Sequence, residues 1–196
     1  MVCEIKEKRF KQCMKIENTT KIHIIIFIIE EQIRIKFFFD RDTYIYFLKR
    51  MKYYKNKYQI DILSYCLMPN HFHLFVRQTT EELKISKFIS TLLNSYVKSI
   101  NKKIDKSGTL FESKTKNKII IDEHYFIWII KYILENPVKA RMVKRISDWE
   151  FSNAKDLLNM RNGTLTNLLE VESFFQSRKQ MIEFLTDTNI KVDYKF

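Results

Sequence analysis

Apolar and polar positions along the chain follow two different periods, and the switches between them mark out its elements. Residues 21–29 (KIHIIIFII) are short and β-branched almost throughout, the composition of a strand buried on both faces. Asp40-Arg41-Asp42-Thr43 then leads into TYIYFLKRMKYYKNK, where Tyr44, Ile45, Phe47, Leu48 and Met51 recur at helical spacing and predict an amphipathic helix. Residues 59–68 (QIDILSYCLM) read as a second strand and residues 71–77 (HFHLFVR) as a third. Pro69-Asn70 is the turn between them, so short that the two strands should pair antiparallel. From 81 to 103, Leu83, Phe88, Leu92, Tyr96 and Ile100 predict a long second helix. A short fourth strand follows at 117–121 (NKIII). Asp122 then offers an N-cap to a third helix, EHYFIWIIKYILEN, which should stop near Asn136 because Pro137 disfavours helix in the residue before it.

The order strand, helix, strand, strand, helix, strand, with one helix appended, predicts an α+β, ferredoxin-like βαββαβ domain. In that arrangement two helices cover one face of an antiparallel sheet and the other face is left to bind a ligand, often a nucleic acid. Three segments are expected: a polar arm over 1–20, the α+β domain over 21–155 and a helical extension over 156–196. No internal repeat is visible.

Composition narrows the function. Lys and Arg number 35 against 23 Asp and Glu, a net charge of +12, and the excess is interleaved with tyrosines and phenylalanines. That is the footprint of a nucleic-acid binder more than of an evenly charged surface. Two glycines in the whole chain exclude a P-loop or a dinucleotide fingerprint. Three cysteines, Cys3, Cys13 and Cys66, form no CxxC pair and suit a reducing, cytoplasmic setting. The most apolar run, 24–29, is far too short to cross a bilayer, so no membrane partner is expected.

Candidate chemistry begins at His71-Phe72-His73. Side chains alternate along a strand, so both imidazoles should share one face while Phe72 packs on the other, with the two histidine Cα atoms ~6.5–7 Å apart. Two such rings can hold one divalent ion. Tyr132 and Asn136, four residues apart, share one helical face, a phenol beside an amide. By spacing alone, a nucleophile with a third metal ligand and a core tyrosine with a helix-capping asparagine are equally good readings.

The string Tyr65-Cys-Leu-Met-Pro-Asn-His-Phe-His-Leu74, followed by Tyr132-Ile-Leu-Glu-Asn-Pro-Val-Lys-Ala140, resembles the single-tyrosine HUH transposases of insertion sequences and of REP-associated elements. Further echoes are Phe38-Phe39-Asp40, Gly108-Thr109-Leu110-Phe111 and Asp148-Trp149-Glu150-Phe151-Ser152, and order and spacing fit from about residue 20 to 155. The resemblance implies a nuclease that cuts and rejoins single-stranded or hairpin DNA through a covalent 5′-phosphotyrosine. It carries over His71 and His73 as metal ligands, Asn136 as the third polar ligand and Tyr132 as nucleophile, with Mg²⁺ or Mn²⁺ as cofactor. Relatives include dimers that exchange the tyrosine helix as well as monomers, so a homodimer is one expectation. The chain departs from the family at Phe27-Ile28, where Arg-Gly is usual, and at Arg141, where glycine is common. The alternative is a non-catalytic nucleic-acid-binding module that kept the fold and the charge. For the DNA backbone, the densest basic stretch offers Lys98, Lys102, Lys103 and Lys106, then Lys114, Lys116 and Lys118. No strong general base stands beside Tyr132; His124 is eight positions earlier, ~12 Å along the helix.

Overall fold

A computed structural model of the chain describes residues 26–32, 37–78, 80, 82, 84–105, 107–108, 116–120 and 125–190, with the backbone alone for 26–32 and 116–119. The elements are β1 (Ile26–Gln32), α1 (Arg41–Tyr58), β2 (Ile60–Met68), β3 (His71–Gln78), α2 (Ile85–Ile104), β4 (Lys116–Ile120) and α3 (Phe126–Lys139). A 3₁₀ turn (Ile146–Asp148) and three shorter helices follow: α4 (Ala154–Leu157), α5 (Leu168–Glu172) and α6 (Arg178–Thr186). The fold is α+β. Its sheet has the order β2-β3-β1-β4 with every neighbouring pair antiparallel.

Local chemistry sets several boundaries. Asp40 opens α1 with a capping box: its carboxylate accepts from the Thr43 N–H at 2.9 Å, and Thr43 Oγ1 accepts from the Asp40 N–H at 3.2 Å. Gln59 closes the helix in the left-handed region, φ 55°. The two-residue turn at Pro69 and Asn70 joins β2 to β3, and Met68 pairs with His71 across it.

A register shift between Ile62 and Ser64 changes which side chains of β2 face which way. Ile60 and Ile62 before it, and Tyr65 and Leu67 after it, all point toward α1 and α2. There they meet Phe72, Leu74 and Val76 of β3 and an aromatic cluster built on Phe37, Phe38, Phe47 and Tyr96. Leu63, Cys66, Met68 and Phe75 point the other way, under Ile129, Ile130 and Ile133 of α3. The bulge is filled by Asn153. Its Oδ1 accepts from the Tyr65 N–H at 2.9 Å and from Ser64 Oγ at 3.1 Å, while Nδ2 donates to Leu63 O at 3.2 Å.

Two expectations need correction. The sheet face away from α1 and α2 is not left open along β2 and β3, because α3 packs on it and is backed by Val171, Met181 and Leu185 of the C-terminal helices. The isoleucine-rich face of α3 demands that cover. Nor does α3 end at Asn136: Pro137 lies inside it and Ala140 is the C-cap. Proline cannot donate to the carbonyl one turn back. The Asn136 side chain supplies donors instead, to Ile133 O at 3.4 Å and to Tyr132 O at 2.9 Å. Smaller differences are that α2 begins at Ile85 and that α3 has no side-chain cap, with Tyr125 at its N-cap. The 1–20 arm, Asp122 and His124 lie outside the described residues. Among the described residues, no helix is long and apolar enough to cross a membrane.

Candidate active site

β3 presents His71 and His73 on its α3 face while Phe72, between them, is fully buried in the opposite core. The two imidazole centroids are 5.0 Å apart with the rings perpendicular. Across from them α3 brings Tyr132 to His73, ring centroids 5.8 Å apart and edge to face. Asn136, one turn on, brings its side chain beside the His73 ring. The four residues therefore converge from a strand and a helix that are about sixty residues apart in the chain.

Burial decides the protonation of both histidines. It lowers the His71 pKa, and it pushes His73 down to about 3, aided by the neighbouring His71 and opposed by the nearby Asn136 amide. Both rings are thus neutral near pH 7. His71 Nδ1 lies 2.9 Å from Asn70 Oδ1. Since that oxygen can only accept, Nδ1 carries the proton and Nε2 keeps its lone pair. Asn136 spends its N–H donors on helix carbonyls, which leaves its amide oxygen as the group able to accept. Two neutral imidazoles and an amide oxygen form a donor set suited to a divalent transition-type ion, and an incomplete one. Among the described residues, no group of three or more His, Cys, Asp or Glu side chains could hold a metal.

Three charged residues of α3 complete the setting and were not singled out from the sequence. Lys139 Nζ sits 4.9 Å from the Tyr132 ring centroid, and Glu135 anchors it at 3.3 Å. Glu135 also pairs at 3.2 Å with Lys131, whose side chain is 1% exposed. Lys131 Nζ then donates to the carbonyls of Phe184 (3.0 Å) and Asp187 (2.8 Å) at the end of α6. Their i, i+4, i+8 spacing was the available signal, but lysines at that spacing more often mark a solvated helix face.

The lysines expected on DNA are placed differently. Lys98, Lys102 and Lys103 lie exposed on α2, in the layer on the opposite side of the sheet from Tyr132. Lys103 is already paired with the Asp40 cap at 2.6 Å. The backbone puts Lys116 and Lys118 on β4, opposite Glu30 and Ile28 of β1. Lys106 and Lys114 lie outside the described residues.

The family described as "Transposase IS200 like" matches residues 17–136, more than half of the chain. The chain belongs to the IS200-like transposase family. Among solved structures, a REP-associated tyrosine transposase bound to a REP hairpin superposes with a TM-score of 0.59. It is 16% identical, and the alignment covers 77% of this chain and 93% of that one, a likeness of fold. A bacterial tRNA(His) guanylyltransferase-like protein in complex with GTP gives a TM-score of 0.40 at 14% identity, covering 71% of this chain and 76% of that one. No curated protein matches the chain.

Proposed function

We propose that this IS200-like transposase cleaves and rejoins single-stranded DNA, at free ends or beside hairpins, through a covalent 5′-phosphotyrosine on Tyr132. One observation carries the reading: Tyr132 and the His71–His73 pair meet on one face of the sheet, 5.8 Å between the Tyr132 and His73 rings. The α+β layout supports a ferredoxin-like reading of the domain, because the order β2-β3-β1-β4 with all neighbours antiparallel is what a βαββαβ chain makes.

In this mechanism Tyr132 Oη attacks the scissile phosphorus, an O–P bond forms and the bond to the 3′ oxygen breaks. The leaving oxygen departs as a hydroxyl, taking up the proton that the phenol gives up. Because the phosphate stays esterified to an aryl oxygen, the reverse attack by a 3′-hydroxyl rejoins the strand without ATP. His71 and His73, kept neutral by burial, and Asn136 would hold the divalent cofactor, Mg²⁺ or Mn²⁺. When bound, that ion supplies Lewis-acid stabilisation of the charge growing on the phosphate. The bonds of Asn136 to its own helix fix its amide relative to Tyr132, so nucleophile and ligand move as one rigid unit. Lys139 places a fixed positive charge over the phenol ring. The α2 lysines neutralise DNA backbone.

The test is a labelled single-stranded oligonucleotide incubated with the protein and Mg²⁺ or Mn²⁺, then run on a denaturing gel. A protein–DNA adduct that disappears in Tyr132→Phe is the expected result. An adduct that survives Tyr132→Phe would overturn the assignment, and binding with no adduct would make the chain a non-catalytic DNA-binding module.

A further inference from the structure

The helix that carries Tyr132 buries most of its surface. Phe126, Ile129, Ile130, Ile133 and Leu134 lie in the core between the sheet and the C-terminal helices. One row of α3 stays uncovered, at steps of three and four residues: Tyr125, Trp128, Tyr132, Asn136 and Lys139. Tyr132 and Asn136 are half-buried and Lys139 is exposed. Tyr125, at the N-cap, is 52% exposed and Trp128 is 36% exposed. At 1.5 Å per residue, Trp128 stands about 6 Å from Tyr132 along the helix axis and Tyr125 about 10 Å. Lys139 stands about 10 Å from Tyr132 in the other direction.

A lone aromatic at a protein surface is ordinary. This pair differs in lining up with the candidate nucleophile and in the bracing of its larger ring. Phe184 of α6 meets the Trp128 ring at 5.1 Å between centroids and 81° between planes. Such an edge-to-face contact fixes the indole while more than a third of the residue stays in solvent. Phe184 is held in turn by Lys131, whose ammonium donates to its carbonyl at 3.0 Å and lies 5.6 Å from its ring centroid. The row contains no Leu, Ile, Val or Met, the side chains that a helix seam between two copies would use. Charge points the same way: α3 carries Lys131 and Lys139 against Glu135 alone, and Glu135 pairs with both. A rigid ring, a second ring one turn before it and a cation beyond the phenol make up a surface for an unpaired polyanion with bases to stack.

We infer that Trp128 and Tyr125 are stacking platforms for unpaired bases, which hold a single strand along α3 on one side of Tyr132. Every base has a π face, so the platforms accept any sequence. Bases of a duplex are already stacked on one another and cannot use them. Because the rings and the phenol share one helix, a base seated on Trp128 keeps its neighbouring phosphate at a fixed distance from Tyr132. The inference rests on the reading of the chain as a protein that handles single-stranded DNA, yet stacking does not require Tyr132 to cut.

Binding of an unstructured thymidine strand in EDTA, without divalent metal, tests the platforms by anisotropy and by tryptophan emission. Trp149, the other tryptophan, is tied to Leu67 O at 3.0 Å, so quenching by the strand should come from Trp128. Trp128→Phe should remove the quenching and lower affinity less than threefold, since a ring remains. Trp128→Leu should lower affinity at least fivefold. Its slope of log affinity against log salt should stay unchanged, because no charge is lost. Tyr125→Leu, at the more exposed position, should lower affinity at least threefold and guards against any loosening of α6 by Trp128→Leu. The control Tyr53→Leu, 56% exposed on α1, should change affinity less than twofold. A blunt duplex should lose less than twofold in every variant. Unchanged single-strand affinity in both Trp128→Leu and Tyr125→Leu would overturn the proposal, as would equal losses on strand and duplex. A dimer that dissociates in Trp128→Leu would give the row to a second copy and overturn it too. Failure of the cleavage reading would appear separately, as a missing Tyr132 adduct in metal with the quenching and the affinity losses intact.

Discussion

His73 illustrates how burial turns a titratable residue into a fixed chemical type. With its pKa near 3, against 6.5 in an unfolded chain, it binds a proton in the unfolded state over a range where the folded state binds none. The sign follows. Its contribution to stability is complete above pH 6.5 and is lost as pH falls from there toward 3, with a slope of up to about 1.4 kcal/mol per pH unit. Urea denaturation in EDTA at pH 7, 5.5 and 4.5 should show this slope, and His73→Gln should flatten it. Lys139 is the second residue whose neighbourhood matters more than its identity. Lys139→Gln should slow single-turnover adduct formation 10- to 100-fold with single-strand affinity changed less than threefold, and Lys139→Arg should restore most of the rate. Parallel losses of rate and affinity would make it an ordinary phosphate contact instead.

At the scale of elements, α3 is held by groups it shares with its neighbours. Lys131 is buried at 1% exposure, and its ammonium is satisfied by the carbonyls that close α6 and by Glu135. Taking it away strands those carbonyls and loosens the cover over the outer side of α3. Lys131→Met is expected to cost about 2–4 kcal/mol. Amide exchange should rise first in α6, around Phe184 and Leu185, before the sheet. The same ladder of charges ends at Lys139, so Lys131→Met should also slow adduct formation, though less than Lys139→Gln does. A variant with α6 loosened and an unchanged rate would detach the ladder from the site.

For the whole molecule, the sheet works as a partition between a basic helical layer and a layer that carries the candidate chemistry. The C-terminal part is bound to it through the edge of β2. Leu67 N–H donates to Phe151 O at 2.9 Å, Trp149 Nε1 donates to Leu67 O at 3.0 Å, and Asn153 plugs the bulge. This segment covers an edge that would otherwise expose unpaired backbone. Asn153→Ala leaves the buried Tyr65 N–H and Leu63 C=O without their partner, at a cost of about 2–4 kcal/mol. At 2–4 °C per kcal/mol for a chain of this size, the melting temperature should fall by roughly 5–15 °C in a thermal melt.

Much of this was legible in the residues themselves. Period-2 and period-3.6 patterns marked β2, β3, α1 and α2 to within a few residues, because alternation and amphipathicity are local consequences of facing a core. The turn at Pro69 and Asn70 was equally local. The spacing of His71, Phe72 and His73 was enough to put both imidazoles on one side of a strand. What no local pattern contained was the far side of each contact. That α3 lies over the histidines, that Asn136 bonds within its own helix so that Pro137 is tolerated, and that Lys131 and Lys139 are tied through Glu135 all depend on neighbours far away in the chain. The bulge at Ile62 and Ser64 is the sharpest instance: one extra residue reverses which side chains of β2 face which layer, and Asn153, some ninety residues on, fills it. Periodicity is written by the face a residue buries, whereas the partner on the other side of that face is chosen by packing, and packing is a property of the folded chain alone.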